Sequence, residues 1–163
     1  MFTLGIITIS DKGAQNLRED KSGPAIQEIM EKNNFITKSY IIIPDEQEEI
    51  EKQLIKMCDQ LKVDLLLTSG GTGFSKRDVT PEATLNVIEK EAPGIAEAIR
   101  YNSHQITPRA MLSRGVSGIR KDTLIINLPG SPKAVRESLE WIIPSIQHGL
   151  EILKGTASEC GSK

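Results

Sequence analysis

Leu65-Leu66-Leu67-Thr68-Ser69-Gly70-Gly71-Thr72-Gly73, continued by Arg77-Asp78-Val79-Thr80-Pro81-Glu82, decides how this 163-residue chain folds. The all-apolar run reads as a buried strand, Asp64 to Thr68. It opens into a glycine-rich loop, passes a carboxylate and enters a helix at Thr80-Pro81, with Thr as the cap and Pro in the first turn. Such a loop can lay backbone N–H groups against phosphate while offering an acid to a cation.

The same strand-then-helix rhythm extends outward. Leu4 to Ile9 is an apolar, β-branched run that reads as a buried strand, broken at Ser10-Asp11-Lys12-Gly13. A polar loop leads to a helix start at Ser22-Gly23-Pro24, and that helix ends near Lys32 before Asn33-Asn34. Tyr40 to Ile43 is the next strand, closed by Pro44-Asp45. From Glu46 to Lys62, Ile50, Leu54, Met57, Cys58 and Leu61 recur at helical spacing among Glu and Lys. After Thr80 the helix breaks at Ala92-Pro93-Gly94 and another runs from Ile95 to about His104. Thr107-Pro108 opens a short helix through Leu112. Val116 to Arg120 and Thr123 to Leu128 form two strands around Lys121-Asp122. A long helix follows Ser131-Pro132, with a kink expected near Pro144. Alternation of this kind predicts a three-layer α/β/α fold with a mostly parallel sheet. The reading gives one domain over residues 1–155 and a frayed tail over 156–163.

Composition narrows the function. A formal charge of −2, with acids and bases well mixed, offers no basic stripe for a nucleic acid duplex. With few aromatics there is little on which to stack a single strand. No apolar stretch approaches the roughly 20 residues that span a bilayer. Met1-Phe2-Thr3-Leu4-Gly5 enters a strand without a basic leader, and Cys58 and Cys160 make neither a disulfide framework nor a zinc site. Both point to a cytoplasmic protein.

In open parallel sheets, ligands bind beyond the carboxyl ends of the strands. Four such ends here carry polar or special residues: Ser10-Asp11, Pro44-Asp45, Gly70 to Asp78, and Pro129-Gly130-Ser131-Pro132. The glycine loop lacks the Gly-Lys-Ser/Thr of a P-loop and the third glycine of a dinucleotide fingerprint. Ser69 and Thr72 add hydroxyls, and the loop is longer than a chain reversal needs. Asp45 also stands where the helix from Glu46 wants a cap, and Asp78 where a turn precedes Thr80. At two neighbouring strand ends, though, the pair suits a magnesium ion, which takes few carboxylates and shares its shell with substrate phosphates. Without a cation two close carboxylates would repel. Asp11 is either a turn former or a site residue. Lys76, Arg77, Arg114 and Lys133 are candidate phosphate partners, and Ser131-Pro132 starts a helix whose N-terminus can hold an anion. No Gly-x-Ser-x-Gly elbow occurs, which leaves a serine triad unsupported.

The run Thr68 to Thr84, Thr-Ser-Gly-Gly-Thr-Gly-Phe-Ser-Lys-Arg-Asp-Val-Thr-Pro-Glu-Ala-Thr, closely resembles the signature of the MogA/MoaB family of molybdenum-cofactor biosynthesis. Plant Cnx and gephyrin G domains belong to the same family. Ile9-Ser10-Asp11, Met111-Leu112-Ser113-Arg114 and Asn127-Leu128-Pro129-Gly130-Ser131-Pro132 match in order, so the likeness runs from Leu4 to about Ile152. The resemblance implies a molybdopterin-binding fold, trimeric in most members and hexameric in some of the MoaB type. It implies a magnesium-dependent adenylyltransferase that joins ATP and molybdopterin, with release of pyrophosphate. Its two important acids fall on Asp45 and Asp78, as catalytic and metal residues. Its ligand loops fall on Ser10-Asp11, on Gly70, Gly71, Thr72 and Gly73, on Ser113, and on Pro129, Gly130 and Ser131; Ser69 and Arg77, beside the glycine loop, join them as candidate substrate-binding residues. Other cofactor-biosynthesis proteins are the expected partners. The alternative within the family is a MoaB-type protein that binds and carries molybdopterin without ATP.

Overall fold

A computed structural model describes residues 1–157. Six strands form one sheet in the order β2-β1-β3-β6-β5-β4. The strands are β1 (Phe2–Ile9), β2 (Phe35–Ile43), β3 (Leu65–Ser69), β4 (Lys90–Glu91), β5 (Ser117–Arg120) and β6 (Thr123–Leu128). The three pairings that link β2, β1, β3 and β6 are parallel, and β5 and β4 add antiparallel partners at one edge. The helices are α1 (Asp11–Ala14), α2 (Ser22–Lys32), α3 (Gln47–Ile55), α4 (Thr80–Val87), α5 (Pro93–Ile106) and α6 (Pro132–Leu153). The expected three-layer α/β/α fold with a mostly parallel sheet is therefore the observed one.

Residues on successive strand positions point to opposite faces, and the core divides accordingly. Leu4, Ile6, Leu65, Leu67, Leu124 and Ile126 pack against Ile26 and Met30 of α2, Ile99 of α5, and Val135, Leu139 and Ile142 of α6. On the other face Ile7, Ile9, Leu66 and Ile125 meet Ile50 and Leu54 of α3, Met57 and Cys58, and Ala83 and Val87 of α4. Leu65, Leu66 and Leu67 are fully buried, as a strand covered by helices on both sides requires.

Four local departures from the sequence reading have physical causes. β2 begins at Phe35 rather than Tyr40, because an edge strand tolerates Thr37, Lys38 and Ser39; the register slips at Lys38, opposite Leu4/Gly5. The helix expected to reach Lys62 changes to a π-helical turn at Lys56–Gln60, which brings the adjacent residues Met57 and Cys58 both into the core. The polar loop after Asp11 contains the short α1, where Ser10 Oγ accepts from Gly13 N at 3.0 Å. Finally, β4 is two exposed charged residues, too short and too polar to show any periodicity.

The turn at Lys121 closes the β5–β6 hairpin with a left-handed residue, φ 51°. α6 continues through Pro144. Of the expected tail, Thr156 and Ala157 donate their backbone N–H groups to the Glu151 carbonyl at 2.9 and 3.2 Å, and residues 158–163, with Cys160, lie outside the described residues. Among the described residues no helix is long and apolar enough to cross a membrane.

Candidate active site

Parallel pairing of β2, β1, β3 and β6 brings their carboxyl ends side by side, so the four loops singled out in the sequence share one edge. Between them lies a cavity of about 650 Å³. Ser10, Asp45, Ser69, Gly70, Gly71, Asp78, Gly130 and Ser131 all line it.

The loops are held by hydroxyls donating across the sheet. Ser69 Oγ donates to Pro129 O at 2.8 Å, Ser22 Oγ to Gly130 O at 2.7 Å, and Thr80 Oγ1 to Gly70 O at 2.9 Å. Gly70 and Gly71 have positive φ, 98° and 68°. A Cβ on Gly70 would sit 2.4 Å from the Ile9 carbonyl oxygen, and one on Gly71 would sit 2.2 Å from Thr80 Oγ1. Neither position admits a side chain. Thr80 is thus the first helical residue and a loop anchor; the cap position of α4 belongs to Val79.

Asp45 does not cap α3. The cap residue is Glu46, which makes no side-chain cap bond. Instead Asp45 and Asp11 hold each other reciprocally: Asp11 N donates to Asp45 Oδ2 at 2.9 Å and Asp45 N to Asp11 Oδ1 at 3.0 Å. Arg77 grips Asp11 through Nε and Nη2, at 3.0 and 2.9 Å, and reaches Glu46 at 2.6 Å. These bonds from Arg77 hold the Asp11 carboxyl below the ordinary carboxylate range. Burial pushes Asp45 the other way, upward, with the nearby charges of Asp11 and Asp78 adding to it. Asp78 turns Oδ2 back to accept from Ser75 N at 2.9 Å.

Other residues singled out in the sequence fall elsewhere. Arg77 spends its guanidinium on two carboxylates. Arg114 braces the glycine loop: it donates to Gly73 O and Asp78 O, both at 2.8 Å, and pairs with Glu82. Lys133 lies 3.9 Å from Glu137. Thr72 is buried, and its carbonyl accepts from Arg114 N at 2.8 Å. Gly73 sits over Asp78, where a Cβ would meet Oδ2 at 2.9 Å. Ser113 and Pro129 line a second, smaller cavity of about 260 Å³ beside α5 and the start of α6.

The family model MoCF_biosynth, "Probable molybdopterin binding domain", matches residues 5–148. The chain belongs to this molybdopterin-binding family. A molybdopterin adenylyltransferase of Helicobacter pylori is 44% identical over 98% of this chain and 92% of its own length. One from Escherichia coli is 43% identical over 85% of this chain and 72% of its own. Among solved structures, the molybdopterin biosynthesis enzyme MoaB of Thermus thermophilus superposes with a TM-score of 0.90 at 47% identity, over 95% of this chain and 98% of that one. The fold is the molybdopterin-binding fold, and the resemblance read from Thr68 to Thr84 holds for the whole domain.

Within that family site, the donor set can be weighed for a cation. Among the described residues no group of three or more His, Cys, Asp or Glu is placed to hold a metal. Asp45 and Asp78 line the cavity beyond the ends of β2 and β3, which flank β1, each with one oxygen held by a backbone N–H. Burial raises Asp45, and the charges of Asp11 and Asp78 add to it, an electrostatic setting that a hard divalent ion relieves. Asp45 and Asp78 therefore fit magnesium that completes its shell with phosphate oxygens and water.

Sequence reading missed Thr8, Arg18, Asp20, Lys21 and Ser22, all of which line the cavity. The signal was present in Asp20, a carboxylate just ahead of a helix start. Its oxygens accept from Thr8 Oγ1 at 2.6 Å, from Tyr40 O–H, from Ser22 N at 2.9 Å and from Gly23 N at 3.2 Å. Burial alone would raise Asp20, but these bonds outweigh it and hold the group below its ordinary value.

The raised Asp45 carries a stability consequence. A carboxyl whose pKa rises on folding opposes folding once ionised, and does so fully only above the folded value. In chelator, Asp45→Asn keeps an oxygen for Asp11 N and should melt at a higher temperature than the parent at pH 7. The advantage should vanish below the ordinary Asp range, where both states are protonated. Melting curves at pH 7 and pH 3 measure it; an equal or lower melting temperature at pH 7 would contradict this account of Asp45.

Proposed function

We propose that the chain is a molybdopterin adenylyltransferase, which transfers AMP from ATP to molybdopterin and releases pyrophosphate. The observation that carries the reading is Asp45 and Asp78 lining one cavity with the Gly70–Gly71 turn and the α6 N-terminus. Relatives at 43–44% identity that bear this activity in their names support it.

The chemistry is a phosphate-to-phosphate displacement. A terminal phosphate oxygen of molybdopterin attacks the α-phosphorus of ATP, a new P–O–P bond forms, and the bond from the α-phosphorus to the bridging oxygen breaks. The electron pair leaves with pyrophosphate. The attacking oxygen is already an anion, so no side chain need take a proton or form a covalent bond. The obstacle is repulsion between two phosphate groups, and the site's task is to align them and lower that charge. Magnesium on Asp45 and Asp78, when bound, supplies the compensating charge. The Gly70–Gly71 turn and the start of α6, where Ser131 Oγ accepts from Ala134 N at 3.2 Å, wall the cavity beside them.

The cytoplasm is the compartment this reading implies, consistent with Cys58 as a free, buried thiol. We read the working form as a homotrimer, with a hexamer as the alternative. Support comes from apolar side chains left exposed along α5 and the following 3-10 turn: Tyr101, Ile106, Met111 and Leu112. Sedimentation of the intact chain should give a trimer mass; a monomer at micromolar concentration would remove this reading.

Asp78→Asn and Asp45→Asn each remove a charge from the cavity while conserving shape. Each should lower adenylation about 100-fold or more, the scale of losing one electrostatic element of a preorganised site. Molybdopterin binding should survive in both. Single-turnover formation of adenylyl-molybdopterin measures the effect, and undiminished turnover in either variant would sink the assignment.

A further inference from the structure

The cavity is rich in acids; none of Lys76, Arg77, Arg114 and Lys133, the cations expected from the sequence to meet phosphate, lines it, and the two arginines are engaged elsewhere. Arg77 is held by Asp11 and Glu46, and Arg114 by Glu82 and two loop carbonyls. Two other cations, both unforeseen in the sequence reading, line the cavity: Arg18 and Lys21. Neither makes a hydrogen bond or ion pair within the described residues, and both are exposed.

Their position is built rather than accidental. The segment between α1 and α2 is fixed at Asp20, which binds β1 through Thr8, β2 through Tyr40, and the first turn of α2 through Ser22 and Gly23. Ser22 in turn ties this segment to Gly130 on the far wall. Asp20 is engaged by four donors, which hold its carboxylate on the braced segment rather than on the two cations beside it; Glu19, the exposed acid between them, lines the cavity as well. Two unengaged cations on a braced segment, facing a cavity walled by a glycine turn and a helix N-terminus, form an anion subsite.

We propose that Arg18 and Lys21 bind the phosphates of the substrate, and that Asp20 is the positioning residue that holds their segment against the cavity. The proposal rests on the adenylyltransferase reading for the presence of phosphates, not for the choice of residues. Their source is either the nucleotide or the pterin, which the titrations distinguish.

The test is calorimetric titration of the full chain with ATP, pyrophosphate and molybdopterin, each with magnesium. Arg18→Ala and Lys21→Ala should each weaken binding about tenfold, as expected for loss of a charge-assisted contact. Melting temperature should not move, because both side chains are exposed. Asp20→Ala should weaken the same ligand through the displaced segment, with Asp20→Glu restoring part of the loss. Losses shared by ATP and pyrophosphate assign the subsite to the nucleotide; a loss confined to molybdopterin assigns it to the pterin. A double variant that binds all three as tightly as the parent overturns this proposal and leaves the adenylyltransferase reading intact. Loss of affinity in Lys133→Ala in place of these variants also overturns it. A parent that binds none of the three overturns both.

Discussion

Gly70 passes so close to the Ile9 carbonyl that the space of one hydrogen atom decides the architecture of the site. β1 and β3 are adjacent parallel strands, and the chain leaving β3 must turn at once across the end of β1. Only a residue without Cβ, free to adopt positive φ, makes that turn. Everything downstream inherits the placement. Gly71 then fits beside Thr80, Thr80 Oγ1 bonds back to Gly70 O, and α4 starts where the loop can deliver Asp78 to the cavity.

A second constraint is electrostatic. Asp11, Asp45 and Asp78 converge on adjoining strand ends, with Arg77 and backbone N–H groups matching only part of their charge. The reciprocal Asp11–Asp45 bonds fix the geometry of β1 relative to β2 at this edge, while burial and neighbouring carboxylates leave Asp45 uncomfortable as an anion. Groups tuned in this direction mark sites where stability yields to function. In the same cavity Asp20 shows the contrary design, a carboxylate engaged by four donors that hold it below its ordinary value.

What the chain disclosed before folding was what depends on local pattern. Leu65 to Leu67 announced a buried strand, and the Gly70-Gly71 pair announced the glycine-rich loop that leaves it. The four strand ends predicted the shared edge, because parallel topology forces it. Roles that depend on distant partners stayed hidden. Arg77 and Arg114 look like phosphate ligands in sequence, yet in the fold they answer Asp11, Glu46 and Glu82, residues 66, 31 and 32 positions away. Asp45 is open to two readings in sequence, cap or site acid, and it lines the cavity while Glu46 takes the cap position. Arg18 and Lys21 sit in an unremarkable polar loop, and only the Asp20 anchor, through Thr8 and Tyr40, turns them toward the site. The edge strand β2 was half missed because one wet side breaks its apolar pattern at Thr37-Lys38-Ser39.

The measurement that bears most directly on the central claim is the stoichiometry of the parent protein's reaction. Molybdopterin, ATP and magnesium are incubated with the intact chain, and adenylyl-molybdopterin and pyrophosphate are followed together with and without chelator. The account predicts one pyrophosphate per adenylyl-molybdopterin, dependent on both substrates and abolished by chelator. Tight molybdopterin binding with no product at any magnesium concentration would contradict it, and would make the protein a carrier of the cofactor rather than its adenylating enzyme.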